Sequence, residues 1–212
     1  MIYVFYHQLS HRLSPEKFRS LFQVLPPEQQ ERNRGFRFWQ EAQTHLIGKM
    51  LLKAGLDEMS PDQYSLQDLR YTVHQRPFFE NGIDFNIAHS EDIAICALSK
   101  TCRVGVDVER VRSLSIDQYR NHFSEEEWKA VNKGPDPIRN FFRLWTEKES
   151  IVKAIGAGLG LPLTEIRPGN NQFKWQNGDW FTRELPIDPQ YIVHVCSDND
   201  PPEVVVRKIE FE

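Results

Sequence analysis

Cysteine is scarce and poorly placed for cross-linking: the chain of 212 residues holds only Cys96, Cys102 and Cys196. An odd, scattered set gives no disulfide framework and no zinc spacing, so the thiols are expected to pack as small hydrophobes. Long apolar runs are missing as well. The longest, near residues 93–98, falls far short of the roughly 20 apolar residues that a membrane-spanning helix needs. Residues 1–6 have no basic stretch before them and no small-residue cleavage site after them, so they read as a strand and not as a secretory signal. Basic charge is not in excess either. The formal net charge of −4 argues against a duplex nucleic-acid binder, while leaving room for a local basic pocket. Repeats at a fixed period and low-complexity segments are absent from the sequence. The expectation is a cytoplasmic protein with no membrane and no nucleic-acid partner.

The composition that remains is that of an ordinary globular chain, long enough to bury roughly 70% of its unfolded surface. Residues 2–6 predict a strand. Ser14-Pro15 opens a helix, with Ser as cap and Pro at the first helical position. A second helical stretch starts near residue 28 and is disturbed near Gly35. It continues through Ala42, Leu46, Ile47, Met50 and Leu51 on one stripe and is expected to end at Gly55. Ser60-Pro61 predicts a further short helix. From about residue 71 the period changes to strands at 71–73, 84–88, 92–98 and 103–109. Helices return with a cap at Ser124 and a longer stretch over 137–155, followed by strands at 172–175, 191–196 and 204–206. The repeated order predicts an α+β protein of two similar halves joined near residue 100, residues 1–101 and 102–212.

Three groups of residues carry possible chemistry. In Val104-Gly-Val-Asp-Val-Glu109, alternation along a strand puts Asp107 and Glu109 on one face, with Val104, Val106 and Val108 on the other. Two carboxylates on one face suit a hard divalent cation such as Mg²⁺. A solvated acidic edge is the plainer alternative. In the helix after Leu144, residues Trp145, Glu149 and Lys153 form a stripe at i, i+4 and i+8. Glu149 and Lys153 are either a surface ion pair or, if Glu149 faces the acidic strand, a third carboxylate with a lysine beside bound phosphates. In Phe85-Asn-Ile-Ala-His-Ser90, His89 is suited to donate to a phosphate, or else sits satisfied in a turn. Arg76-Pro77 and the group Arg32, Arg34 and Arg37 add cations upstream, the latter with a solvated helix face as its plainer reading.

Together and in this order, these pieces resemble the 4'-phosphopantetheinyl transferases of the surfactin-synthetase-activating (Sfp-like) type. Gly105-Val-Asp-Val-Glu109 is similar to the family's G-[IV]-D-[IV]-E. The run from Trp145 through Lys148, Glu149 and Lys153 to Gly156 is similar to W-[ST]-x-K-E-[SA]-x-x-K-x-x-G. Arg76-Pro77 resembles [KR]-P, Asn86-Ile-Ala-His-Ser90 resembles N-[IL]-S-H-S, and Phe123-Ser-Glu-Glu-Glu127 resembles F-x-x-x-E. The resemblance implies a pseudo-two-fold fold with its active site in the cleft between the halves. It implies a monomeric transferase that moves the phosphopantetheine of coenzyme A to a serine of an acyl or peptidyl carrier protein and releases 3',5'-adenosine bisphosphate. Mg²⁺, or alternatively Mn²⁺, is the implied metal, on Asp107, Glu109 and Glu149. Glu149 and Lys153 are the implied catalytic residues. Arg32, Arg76, His89, Lys148 and Lys153 are the implied coenzyme A contacts, with His89 at the 3'-phosphate.

The chain departs from the family pattern at Ala88, where Ser is frequent, and at Gln29, where a lysine can occur; His45 is a weaker candidate near the early basic segment. Two rival readings remain at this point. One is another Mg²⁺-dependent phosphohydrolase, which would need no carrier. The other is a non-catalytic carrier-binding module, against which the intact set of Asp107, Glu109, Glu149 and Lys153 argues. Leu159, Leu161 and Leu163, extended by Phe123 and Trp128, either form an apolar docking patch for the carrier or pack into the core.

Overall fold

A computed structural model describes residues 1–80, 82–158, 161–167, 169, 171–176, 178–199 and 203–211. In chain order, strand β1 (Ile2–Gln8) precedes helices α1 (Pro15–Phe22), α2 (Pro27–Arg34) and α3 (Trp39–Met59). Strands β2 (Arg70–Tyr71), β3 (Pro77–Phe78), β4 (Asp84–Ser90), β5 (Ile93–Ser99) and β6 (Val104–Arg110) follow, then α4 (Glu125–Val131) and α5 (Pro137–Ile155). The chain closes with β7 (Gln172–Trp175), β8 (Gly178–Glu184), β9 (Tyr191–Ser197) and β10 (Val204–Lys208).

The helix ends follow from local chemistry. The Ser14 hydroxyl accepts the Lys17 N–H at 3.1 Å, with Pro15 next in line. Ser124 and Glu127 cap α4 reciprocally, a capping box. Asp136 caps α5, which stops at Gly156 because that residue is left-handed, with φ 74°.

The architecture is α+β, in layers. One sheet has the order β10-β1-β5-β4 and the other β6-β9-β8-β7, each four-stranded. Alternation sorts the strand residues between two faces. Ile2, Val4, Ile93, Ile95 and Ala97 of the first sheet meet Val104, Val106, Val108, Val193 and Val195 of the second in a shared core. The opposite face of the first sheet, with Phe5, Phe85, Cys96 and Leu98, is covered by Leu46, Ile47 and Met50 of α3. Cys196 and Ile192 of the second sheet lie under α5. The last strand, β10, returns to the first sheet and runs parallel to β1.

Several expectations need correction. The stretch from 28 to 55 is two helices, α2 and α3, and α3 runs through Gly55 to Met59. Gly55 is there for clearance: a Cβ on it would lie 2.7 Å from Leu98 Cδ1 and 2.9 Å from Phe5 Cε2. Ser60-Pro61 starts a turn, and the short 3-10 helix begins later, at Leu66, where Ser65 supplies the cap. Strand β8 went unpredicted, since Asp179, Arg183 and Glu184 dilute its apolar pattern. Of the residues weighed for an apolar docking patch, Leu161 (7% exposed) and Phe123 (3%) are core residues, Leu163 and Trp128 are half-buried against the core, and Leu159 lies outside the described residues.

Candidate active site

Strand β6 carries the site on its second face. Gly105, Asp107 and Glu109 point toward α5, opposite the valines. At Gly105 the helix backbone touches the strand: a Cβ there would lie 2.1 Å from Ser150 O and 2.4 Å from Ala154 N. This contact brings α5 close enough for Lys153 to reach the next residue on that face. The Lys153 ammonium donates to Asp107 Oδ1 at 2.5 Å. The other oxygen, Asp107 Oδ2, is buried and has no hydrogen-bond partner. Burial pushes the Asp107 carboxyl above its ordinary value, and Lys153 opposes that shift.

Glu109 is held from the first sheet. Ser90 Oγ accepts the Arg110 N–H at 3.1 Å, so its own proton is free to point at Glu109 Oε2, 2.9 Å away. Strand β4 meets β6 through such side-chain contacts all along its length: Asp84 Oδ2 accepts from Val104 N–H at 2.8 Å and Asn86 Oδ1 from Val106 N–H at 3.0 Å. Ala88 breaks this row of polar residues. Glu149 stands on α5, one turn before Lys153. Burial first, and then Asp107, raise the pKa of Glu149 and of Glu109 alike, so each of these carboxylates feels the charge of Asp107.

The set is rich in hard oxygen donors, and the orphaned Asp107 Oδ2 is the kind of atom a divalent cation satisfies. Among the described residues, however, no three Asp, Glu, His or Cys side chains converge tightly enough to hold an ion. Lys153 supplies the positive charge beside Asp107 in this arrangement. The donor chemistry fits the metal, and Lys153 stands close to where it would bind.

The remaining residues divide by what they touch. His89 is exposed and makes no hydrogen bond among the described residues. The surrounding protein, and then Lys153, lower its pKa, while Asp107 and Glu41 pull it the other way. Arg32 is also exposed and uncommitted. Arg76 lines the cleft but is largely spent on structure: Nη2 donates to both Asp84 oxygens, at 3.0 and 2.8 Å, and to Val104 O at 3.1 Å. Its Nε is buried without a partner. Lys148 is fully buried and faces away from the acidic face. It lies 2.8 Å from both Glu127 carboxylate oxygens and 2.9 Å from Leu163 O, which ties α5 to α4 and to the chain beyond Gly156. His45 is closed off too, with Nδ1 at 3.0 Å from Asn33 Nδ2 and Nε2 at 3.2 Å from Gln29 Oε1.

A cleft of about 630 Å³ opens beside Glu149 and Lys153. Arg76, Pro77 and Asn86 line one side, and Trp145, Val152 and Leu163 the other. The stripe of Trp145, Glu149 and Lys153 thus faces the cleft as the helical spacing predicts. Asp84 and the hydroxyl role of Ser90 are signalled in the sequence only by the polar period-two row 84, 86, 90.

A family model described as the 4'-phosphopantetheinyl transferase superfamily matches residues 103–203, and one described as 4'-phosphopantetheinyl transferase, N-terminal, matches residues 11–101. The 4'-phosphopantetheinyl transferase gsp of Aneurinibacillus migulanus is 29% identical over 176 residues, 81% of this chain and 73% of that protein. The 4'-phosphopantetheinyl transferase Sfp of Bacillus subtilis (strain 168) is 28% identical over 200 residues, 87% of each chain. The L-aminoadipate-semialdehyde dehydrogenase-phosphopantetheinyl transferase of Xenopus laevis is 29% identical over 159 residues, 67% of this chain and 53% of that protein.

Proposed function

We propose that this chain, which belongs to the 4'-phosphopantetheinyl transferase superfamily, transfers the 4'-phosphopantetheine arm of coenzyme A to a serine of an apo acyl or peptidyl carrier protein. The leaving product is 3',5'-adenosine bisphosphate. One observation carries the site assignment: the buried Asp107 carboxylate, with one oxygen on Lys153 and the other unpartnered, at a cleft lined by Glu149. On this reading residues 1–101 and 102–212 are the pseudo-two-fold halves, with β10 returning from the second half to the first sheet, and the reaction runs in the cleft between them.

Asp107, Glu109 and Glu149 would hold Mg²⁺, or alternatively Mn²⁺; when bound, the ion supplies positive charge to the pyrophosphate oxygens. The carrier serine oxygen attacks the β-phosphorus. The new bond joins that oxygen to phosphorus, and the bond from phosphorus to the bridging oxygen breaks. Lys153, freed from Asp107, answers the charge that gathers on the leaving phosphate. Glu149, raised above the ordinary carboxylate range by burial and by Asp107, is the candidate acceptor for the serine proton. His89 and Arg32, both uncommitted among the described residues, suit the nucleotide end, as does Arg76, which lines the cleft. Lys148, by its contacts, serves the site by holding the ends of its walls together.

No helix among the described residues is long and apolar enough to cross a membrane. On this reading the protein acts in the cytoplasm, where coenzyme A and apo carriers meet, and as a monomer. The deciding experiment incubates the protein with coenzyme A, Mg²⁺ and a panel of apo carriers. A mass gain of one phosphopantetheine on a carrier serine is expected. Phosphate release from coenzyme A without any carrier would overturn the proposal in favour of a hydrolase.

A further inference from the structure

The cleft has two ends, set by the run of α5 along it. Trp145, Glu149 and Lys153 line it at successive turns. At 1.5 Å per residue, about 12 Å of helix separates the first of them from the last. Arg76 meets the later end of the helix: its Nη1 lies 3.5 Å from Ala154 O, and a Cβ on Gly156 would lie 3.1 Å from its Cδ. Arg76 and Lys153 serve the nucleotide and the leaving phosphate in the transferase reading above. Displacement at phosphorus is roughly in line, so the attacking oxygen arrives from the side opposite the leaving one. Along α5 that side is the earlier end, at Trp145.

His122 stands at that end. It closes the 3-10 helix Ile116–His122 and lines the cleft beside Trp145 and Glu149. Its ring meets Trp145 edge-on, with centroids 5.7 Å apart and planes at 87°, and Tyr119 lies at 6.4 Å. The backbone under it is fixed as well. The ammonium of Lys148, itself fully buried, lies 3.4 Å from His122 O, and Arg120 Nη1 donates to Phe123 O at 2.9 Å. The ring is thus placed by packing, while both of its nitrogens are without a hydrogen bond among the described residues. Packing on Trp145 asks only for a flat ring and makes no use of those nitrogens. The residue is exposed, so a proton taken up there passes on to water.

Glu149 is the rival acceptor. As one of the three carboxylates proposed for the metal, it loses basicity whenever the ion is bound. His122 belongs to no such set, and imidazole is the side chain most often used as a general base. We propose that His122 accepts the proton of the carrier serine, an assignment that rests on the transferase reading and adds a catalytic residue to it. The serine oxygen bonds to the β-phosphorus as its proton passes to a ring nitrogen of His122. The bond from phosphorus to the bridging oxygen breaks, and its electron pair leaves with 3',5'-adenosine bisphosphate. The imidazolium then returns its proton to water, and Glu149 keeps its carboxylate for the metal.

The test is single-turnover transfer from coenzyme A to an apo carrier, read by mass spectrometry, for the wild type, His122→Gln and His122→Ala. His122→Gln should slow the chemical step roughly hundred-fold or more. Its carrier KM, its affinity for coenzyme A and its melting temperature should stay near wild type. Free imidazole should restore part of the rate of His122→Ala, in proportion to its concentration, and leave the wild type unchanged. Should His122→Gln fold poorly, the imidazole rescue of His122→Ala decides alone. A wild-type rate in His122→Gln, a loss confined to carrier KM, or a slow His122→Ala that imidazole does not rescue overturns the proposal and returns the proton to Glu149. A wild type that modifies no carrier brings down the transferase reading itself.

Discussion

Gly105 lies directly beneath Ser150, so close that a Cβ on the glycine would sit 2.1 Å from the serine carbonyl oxygen. Strand and helix backbones touch here, which sets the distance from the β6 carboxylates to Glu149 and Lys153. Gly105→Ala must push α5 away, because the atoms it meets are backbone and cannot turn aside. Overpacking of this kind costs about 1–3 kcal/mol, or more where no rotamer relieves it. The expected result is a lower urea midpoint together with a loss of transfer greater than the stability loss explains. Wild-type kcat in Gly105→Ala would show that the site tolerates a shifted helix.

Asp107→Ala should abolish transfer and leave the fold intact. Its ion-pair partner among the described residues is Lys153, whose side chain is 30% exposed and can turn to water, so a stability change within about 1 kcal/mol is expected. Excess EDTA should likewise stop the wild type, and Mg²⁺ should restore it. Full activity in either case would remove the metal from the proposal.

Ser90→Ala should loosen Glu109 without touching substrate. The hydroxyl takes the Arg110 N–H and gives its proton to Glu109, so its loss frees the carboxylate to rotate. Supporting residues of this kind typically govern 10- to 100-fold in metal affinity. A direct Mn²⁺ titration should weaken by roughly that factor, and excess Mg²⁺ should restore kcat. An unchanged affinity would make Ser90 a strand-edge residue only.

The acidic face of β6 and the stripe of Trp145, Glu149 and Lys153 were legible because their periods, two and about four, are properties of strand and helix themselves. Charge alone did not disclose partners. Lys148 and Lys153 stand on the same helix five residues apart, yet one is buried on Glu127 and the other reaches Asp107. The ion pair that spacing suggested for Lys153, with Glu149, gave way to one across the helix–strand contact that Gly105 permits. Gly55 misled because a helix-ending glycine and a glycine giving clearance look alike in sequence. The parallel pairing of β10 with β1 joins residues about 200 positions apart, such as Ile2 and Val204, and no local pattern announces it.

Acid should destabilise the protein in a definite window, through His194. The Thr146 hydroxyl donates to Phe142 O at 2.9 Å, so it must accept from His194 Nδ1–H, 2.8 Å away. That contact fixes a neutral tautomer in a residue only 3% exposed. Burial holds the pKa of His194 to about 4; Glu184 raises it somewhat and Arg143 opposes it. In the unfolded chain the same ring titrates near about 6.5. Between those values the unfolded state binds a proton that the folded state refuses, so stability falls as pH drops from about 6.5 toward 4 and levels off below. The full effect is on the order of 3 kcal/mol for this one residue. His45, also held to about 4, adds to the same slope. Urea unfolding of the wild type and of His194→Gln from pH 8 to 4 measures it. The variant starts lower, because it loses a packed ring, but its stability should fall less steeply over the window. Parallel curves would mean that His194 titrates alike in both states and that the acid sensitivity arises elsewhere.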